Sequence, residues 1–207
     1  GEDGADDIQA GDGDHFILGA AGDDIIVVGI GDSVVRGNAG ADHITIAGGS
    51  NKVLGDGDLS LTLTDYSDSS PGDDGGDTIV VGGSGDNLIL GFGGIDSITA
   101  GMGDDEIDGG TEGDTLKGGG GNNSIFGQEG DDTIYGHLSP AGGDPAGTNE
   151  IHGGLGNDTI YGDATSSHCS WYSCKIPFGN DTINARDGEV DNIDCGIGTD
   201  TAVVDKI

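Results

Sequence analysis

Aspartate recurs in this sequence at a spacing that suits the binding of a cation. The stretch 153–161, GGLGNDTIY, shows the pattern in full: glycine at the first, second and fourth positions, aspartate at the sixth and a large apolar residue at the eighth. Carboxylate and carbonyl oxygens are the ligands that hard divalent cations prefer, and glycine lets a backbone curl so that its carbonyls face inward. The pattern therefore indicates a cation-binding turn followed by a short strand.

The eighth position of this repeat is apolar along almost the whole chain. Fourteen of its eighteen occupants are isoleucine, which suits a short strand whose inward side chain stacks on its copy in the next coil. The set is Ile8, Ile17, Ile26, Val35, Ile44, Val53, Ile79, Ile89, Ile98, Ile107, Leu116, Ile125, Ile134, Ile151, Ile160, Ile183, Ile193 and Ala202. The pattern is similar to the RTX (repeats-in-toxin) nonapeptide, which implies that two repeats make one coil, so we predict about nine two-strand coils in a rod roughly 43 Å long, with strands roughly 4.8 Å apart.

Successive repeats alternate between the two edges of such a solenoid, so the sixth positions form two sets. On the edge of the odd-numbered repeats, the odd edge, all nine are aspartate: Asp6, Asp24, Asp42, Asp77, Asp96, Asp114, Asp132, Asp158 and Asp191. On the even edge three are aspartate, namely Asp105, Asp181 and Asp200. The other even-edge residues are His15, Ser33, Asn51, Asn87, Asn123 and Asn149. The resemblance to the RTX nonapeptide implies a metal ligand at the sixth position, so these twelve aspartates are the predicted metal ligands.

Carboxylates stacked roughly 5 Å apart repel one another, so the odd edge should demand cations between its coils. Ca²⁺ accepts six to eight oxygen ligands in flexible geometry, whereas Zn²⁺ prefers the His and Cys side chains that this register lacks. Mg²⁺ is a poorer choice. At the fifth position Asp14, Asp32 and Asp86 are either ligands in an altered geometry or solvated turn residues. Asp7, Asp23, Asp104 and Asp131, beside ligand positions, are predicted to be outward charges.

The repeat G-G-x-G-x-D-x-U-x, where U is a large apolar residue, resembles the RTX (repeats-in-toxin) nonapeptide. This resemblance implies an all-β fold, a right-handed parallel β-roll with calcium in its turns, each ion shared between consecutive coils. Up to eight ions along the odd edge and fewer along the even edge would follow. Ions that bind only the folded roll stabilise it, so we expect the chain to stay unfolded in the low-calcium cytosol and to fold outside the cell.

The composition limits the other roles open to the chain. It has 46 Gly and 39 acidic residues against 6 Lys and Arg, with a formal charge of −33, which disfavours nucleic acid and anionic membranes as partners. No apolar run is long enough to cross a membrane, and no catalytic motif is present. We therefore predict a secreted or cell-surface protein that is not an enzyme.

The regular spacing is interrupted by insertions at 56–74, 137–146 and 163–178. Solenoids tolerate insertions in their turns, so we predict one domain over residues 1–207. In the third insertion Cys169 could form a disulfide with Cys174, with Cys195 as the competing partner.

Most of the aromatic residues are predicted to gather at one end of the roll. The third insertion contains Trp171, Tyr172 and Phe178, and Tyr135 and Tyr161 lie on neighbouring strands. These residues form either a contact surface for a glycan or protein partner or a small satellite core against the roll.

Two further features bear on assembly. Outward apolar residues form a strip that a loop such as 59–63 or a neighbouring subunit should cover, and its members are Phe16, Leu18, Val34, Leu54, Leu88 and Leu90. Neither end of the sequence carries an amphipathic helix that would cap a solenoid, so we expect either that copies add head to tail or that the chain is a piece of a longer protein.

Three functions are compatible with these features. We favour a surface, matrix or filament subunit. The alternatives are a glycan- or protein-binding adhesin module and the C-terminal secretion and folding module of a larger secreted enzyme.

Overall fold

The computed structural model describes residues 1–55, 75–137, 147–163, 180–196 and 198–205. Within these ranges the chain forms eighteen short β-strands and no helix. The strands are β1 (Asp7–Ala10), β2 (Phe16–Ala21), β3 (Ile25–Ile30), β4 (Val34–Ala39), β5 (His43–Gly48), β6 (Lys52–Leu54), β7 (Thr78–Val81), β8 (Leu88–Phe92), β9 (Ser97–Thr99), β10 (Glu106–Thr111), β11 (Thr115–Lys117), β12 (Ser124–Glu129), β13 (Thr133–Tyr135), β14 (Glu150–Leu155), β15 (Thr159–Tyr161), β16 (Thr182–Ala185), β17 (Asn192–Asp194) and β18 (Thr201–Val204).

The strands alternate between two parallel sheets of nine strands each. One sheet has the order β1-β3-β5-β7-β9-β11-β13-β15-β17, and the other contains the even-numbered strands in sequence from β2 to β18. Each inner strand therefore pairs with the strand one coil earlier and the strand one coil later. This topology confirms the predicted parallel β-roll of nine coils, and every predicted apolar eighth position lies within one of the strands.

The predicted apolar residues form one inward column in each sheet, here called the ladder residues. In the odd-numbered sheet Ile26 pairs with Ile44, which in turn pairs with Ile79, and Ile107 pairs with Ile125 in the other sheet. Ladder residues in the middle coils are fully buried, whereas Ile8 and Ile193 in the end coils are only partly buried. Stacking on both sides completes the burial of each side chain, so the inner coils are the best protected.

A second inward column was not predicted from the sequence. It lies two residues after the ladder residue on the odd-numbered strands, where Val28, Ile46, Val81 and Ala100 are buried in the core. The same position on the even-numbered strands β2, β4, β6, β8, β10, β12 and β14 is glycine. The alternation of apolar residues in β3 and β5 could have indicated this second column, because residues two apart on a strand face the same side.

The outward apolar strip on the even-numbered strands is covered in part. Leu54 and Leu90 are 5% and 6% exposed, whereas Phe16 at the first coil is 66% exposed. The residues predicted to cover the strip, 59–63, lie outside the described part of the chain, as do almost all of the three predicted insertions. No helix among the described residues is long and apolar enough to cross a membrane.

Candidate metal-binding edges

The sixth-position aspartates of the odd edge are joined into one column by hydrogen bonds from the backbone. The amide N–H of Asp96 donates to Oδ1 of Asp114 at 2.8 Å, and the N–H of Asp114 donates to Oδ1 of Asp132 at 2.7 Å. The same bond joins each remaining pair of consecutive coils from Asp6 to Asp191. One carboxylate oxygen of each inner aspartate is thus used to hold the turns in register, and the other remains for a ligand.

That second oxygen, Oδ2, is buried and has no hydrogen-bond donor within the described part of the chain. This holds for Asp24, Asp42, Asp77, Asp96, Asp114, Asp132 and Asp158. A buried acceptor without a partner costs about 1–3 kcal/mol, and a charged one costs more. Seven such atoms in a row on one edge therefore indicate that a group supplying positive charge belongs there.

The carbonyl of a glycine in the next coil faces the same point. A Cβ added to Gly109 would lie 3.0 Å from the carbonyl oxygen of Gly127 and would overlap Oδ2 of Asp114. The arrangement occurs seven times in all, for Asp6 with Gly19, Asp24 with Gly37, Asp42 with Gly55, Asp77 with Gly91, Asp96 with Gly109, Asp114 with Gly127 and Asp132 with Gly153. Two oxygens that converge without a hydrogen between them repel, and a divalent cation between coils would turn that repulsion into coordination. The odd edge fits Ca²⁺ as its donor chemistry predicted.

Glycine serves two different purposes in these turns. At the first position it has an ordinary negative φ, and it is required because a side chain would overlap the converging oxygens. At the fourth position Gly40 has φ 126°, a backbone conformation that favours glycine. The second position also has positive φ, yet it is occupied by Phe92 (φ 80°) and Gln128 (φ 81°), so the turn imposes its shape on these side chains.

Burial and mutual repulsion raise the pKa values of the odd-edge carboxyl groups. Burial is the largest cause for Asp77 and Asp114, and the nearby carboxylates add to it, so that the pKa of each rises to about 8. The same causes raise the pKa of Asp42 to about 7, and that of Asp132 to about 7. Without a cation, then, the middle of this edge retains protons close to neutral pH.

The even edge has the same backbone ladder but different side chains. The N–H of Asn87 donates to Oδ1 of Asp105, the N–H of Asp105 to Oδ1 of Asn123, and the N–H of Asn123 to Oδ1 of Asn149. The bonds continue to the two ends of the edge through His15, Ser33, Asn51, Asp181 and Asp200. An asparagine oxygen thus replaces an aspartate oxygen in the ladder without loss of a hydrogen bond.

The three predicted even-edge ligands have unlike surroundings. Oδ2 of Asp181 and the carbonyl oxygen of Cys195 lie 2.6 and 2.5 Å from a Cβ added to Gly162, so this turn repeats the odd-edge arrangement. Asp105 also has a buried Oδ2 without a donor in the described ranges, and burial raises its pKa to about 6. However, Ala100 and Cys195 take the place of the first-position glycine in the turns of Asp105 and Asp200. The geometry therefore supports Asp181 best.

The fifth-position residues form a separate, exposed ladder that the sequence did not reveal. The N–H of Asp32 donates to Oδ1 of Asp14 at 2.9 Å, and the N–H of Asn122 donates to Oδ1 of Asp104 at 2.7 Å. Here the later coil donates to the earlier one, opposite to the sixth-position ladder. Asp23, Asp86 and Asp131 accept in the same way. These exposed carboxylates satisfy backbone N–H groups of the turns.

The predicted aromatic cluster is described only in part. Tyr135 and Tyr161 stack with ring centroids 4.9 Å apart and an interplanar angle of 8°. One face of each ring is therefore covered by the other ring and is not available to a sugar. Trp171, Tyr172, Phe178 and the cysteines at 169 and 174 lie outside the described residues, so the prediction of a partner-binding surface there stays a prediction.

The turn geometry agrees with a comparison against family models. The model described as RTX calcium-binding nonapeptide repeat matches residues 1–35, 18–53, 71–107, 81–116, 108–138 and 146–165, together more than half of the chain. The chain belongs to the RTX calcium-binding repeat family. Its repeats are those of a calcium-binding structural module, and the odd-edge geometry agrees with this. Comparison with curated protein sequences gives no match.

Proposed function

We propose that this RTX chain is an extracellular structural module, part of a cell surface, matrix or filament, that folds when it meets calcium. The observation that carries the proposal is the column of buried aspartate Oδ2 atoms on the odd edge, each facing a carbonyl of the next coil. The proposed role is structural and not catalytic.

Calcium would act as a folding signal because the ions bind only the assembled turns. An unfolded chain does not hold two coils together, so the binding free energy contributes to the stability of the roll. The formal charge of −33 adds self-repulsion in the absence of cations. The chain should therefore stay extended where calcium is scarce and become rigid where it is plentiful.

Circular dichroism of the purified chain tests the folding signal. We expect a spectrum of β-structure in millimolar calcium, its loss at pH 8 after a calcium chelator is added, and its return when calcium is restored. Magnesium at the same concentration is the control and should restore much less of the signal. Equal β-content with and without chelator at pH 8 would contradict the proposal.

Head-to-tail assembly is the finer part of the proposal. Strands β1 and β2 lie at one rim of the two sheets and β17 and β18 at the other, and β18 is exposed along its length. A coil from a second copy, or from further polypeptide, could pair with these rims. Electron microscopy should show filaments in calcium that disappear with chelator, whereas single short rods would favour a module that acts within a larger protein.

A further inference from the structure

On the basis of the proposed calcium function, we propose that the side-chain amides of four even-edge asparagines take the place of calcium. Two of these turns, those of Asn123 and Asn149, would be calcium sites if the asparagine were an aspartate. The asparagines are Asn51, Asn87, Asn123 and Asn149.

The amide nitrogen lies where the odd edge has an unsatisfied oxygen. A Cβ added to Gly118 would lie 2.7 Å from Nδ2 of Asn123 and 2.5 Å from the carbonyl oxygen of Gly136. In the odd-edge turn of Asp114 the corresponding atoms are a carboxylate Oδ2 and a carbonyl oxygen. The even-edge pair is a donor and an acceptor, and Nδ2 of Asn123 donates to that carbonyl of Gly136 at 3.5 Å. The N–H group thereby supplies the positive charge that a cation would supply between two oxygens.

The other three asparagines use the same group in related ways, and Nδ2 of Asn149 donates to Oδ1 of Asp181 at 3.2 Å and to the carbonyl of Gly147 at 3.5 Å. Nδ2 of Asn87 donates to the carbonyl of Gly85 and to Oδ1 of Asp105, each at 2.7 Å. Nδ2 of Asn51 donates to the carbonyl of Gly49 at 3.0 Å and to Oδ1 of Asn87 at 3.1 Å. None of the four asparagines has a buried side-chain atom without a partner in the described ranges, in contrast to the odd-edge aspartates. These turns need no metal.

A second determinant separates the four turns into two pairs. In the turns of Asn123 and Asn149 the residue two after the ladder residue is Gly118 or Gly136, which leaves the space that the odd edge gives to converging oxygens. In the turns of Asn51 and Asn87 that residue is Ile46 or Val81, and both side chains are packed in the core. An ion thus requires both a sixth-position aspartate and a glycine beside it, and Asn123 and Asn149 lack only the first.

Exchange of amide for carboxylate tests this inference. We expect Asn123→Asp to bind one more calcium ion per chain than the wild-type chain, counted by equilibrium dialysis and elemental analysis. The double variant Asn123→Asp with Asn149→Asp should gain two. The matched controls Asn51→Asp and Asn87→Asp should gain none, because Ile46 and Val81 fill the site, and should be less stable with or without calcium.

The reciprocal variant guards against misfolding of the aspartate variants. Asp181→Asn should lose one bound calcium yet keep its β-content in calcium, because its new amide can donate to the carbonyl of Cys195 beside Gly162. The proposal is wrong if Asn123→Asp folds in calcium without a further ion, if Asn51→Asp gains an ion as Asn123→Asp does, or if Asp181→Asn keeps its full calcium count. A wild-type chain that binds no calcium would instead refute the proposed function, since the variant counts are differences from the wild type.

Discussion

The odd and even edges of this roll connect the same nine coils through the same ladder of hydrogen bonds from the backbone. They differ in the side-chain atom that faces the carbonyl of the next coil. The odd edge places a carboxylate oxygen opposite a carbonyl oxygen, as in the turn of Asp114, which is the arrangement that we propose for calcium. Most of the even edge places an amide N–H or an apolar side chain there, as with Asn123 and Ile46. A repeat can thus keep the shape of its turn while two residues, at the first and sixth positions, set whether the turn is suited to a cation.

Removal of equivalent side chains from the two edges should reveal the largest difference in stability between them. Asp114→Ala loses the bond from the Asp96 N–H and a calcium ligand, so we expect a loss of about 4 kcal/mol of stability in calcium. Asn123→Ala loses the bond from the Asp105 N–H and the long bond from its own Nδ2 to the carbonyl of Gly136, about 1–3 kcal/mol, with the same cost at low and high calcium. Calcium titrations followed by circular dichroism measure both, and an Asn123→Ala cost that grew with calcium would contradict the assignment of that turn as metal-free.

Filling the space beside the ligand should have the next largest effect. A Cβ at Gly91 would overlap Oδ2 of Asp96 and the carbonyl of Gly109, so Gly91→Ala should lose a bound ion and about 3 kcal/mol of stability in calcium. Gly118→Ala on the even edge meets a similar obstruction and serves as the control. It should destabilise the roll without a change in bound calcium, and equal ion counts in the two variants would rule out the odd-edge site at Asp96.

The pH dependence of the stability of the calcium-free roll tests the odd-edge carboxyl groups. Because the folded-state pKa values of Asp42, Asp77 and Asp114 are raised, the folded roll holds more protons than the unfolded chain. The stability that these neutral carboxyls contribute is fully present below about pH 4 and is lost as pH rises through about 7 to 8.

In chelator, circular dichroism should therefore show more β-structure at pH 5 than at pH 8. Protons and calcium compete for these carboxylates within the folded roll, so the affinity of the folded roll for calcium should rise over the same rise in pH. A calcium-free roll that became more stable toward pH 8 would contradict the raised pKa values.

The smallest effect is expected from the exposed fifth-position ladder. Asp104→Ala removes the acceptor for the backbone N–H and the side-chain amide of Asn122, which lie 2.7 and 3.1 Å from its Oδ1. We expect a loss of about 0.5–1 kcal/mol in thermal unfolding experiments and no change in bound calcium. A lost ion in this variant would show that the fifth-position carboxylates are ligands after all.

Much of this structure could be predicted from local spacing. Each turn and strand is encoded within one repeat, so the ladder from Ile8 to Ala202 gave the number of coils, the two sheets and the odd-edge column of aspartates. The inward column that includes Val28 and Ile46 was missed because the repeat pattern has only one position reserved for a large apolar residue. The direction of the fifth-position bonds was also missed, since it depends on which neighbouring coil supplies the donor.

The sequence by itself determined that this chain is a solenoid of short strands with an acidic edge, because periodic glycine, aspartate and isoleucine act within each repeat. Which turns are suited to a cation follows from the tertiary structure. It depends on atoms that come together from two coils, where the carbonyl of a glycine faces the Oδ2 of an aspartate or the Nδ2 of an asparagine. It also depends on whether the first-position residue is a glycine, such as Gly118, or a larger apolar residue, such as Ile46.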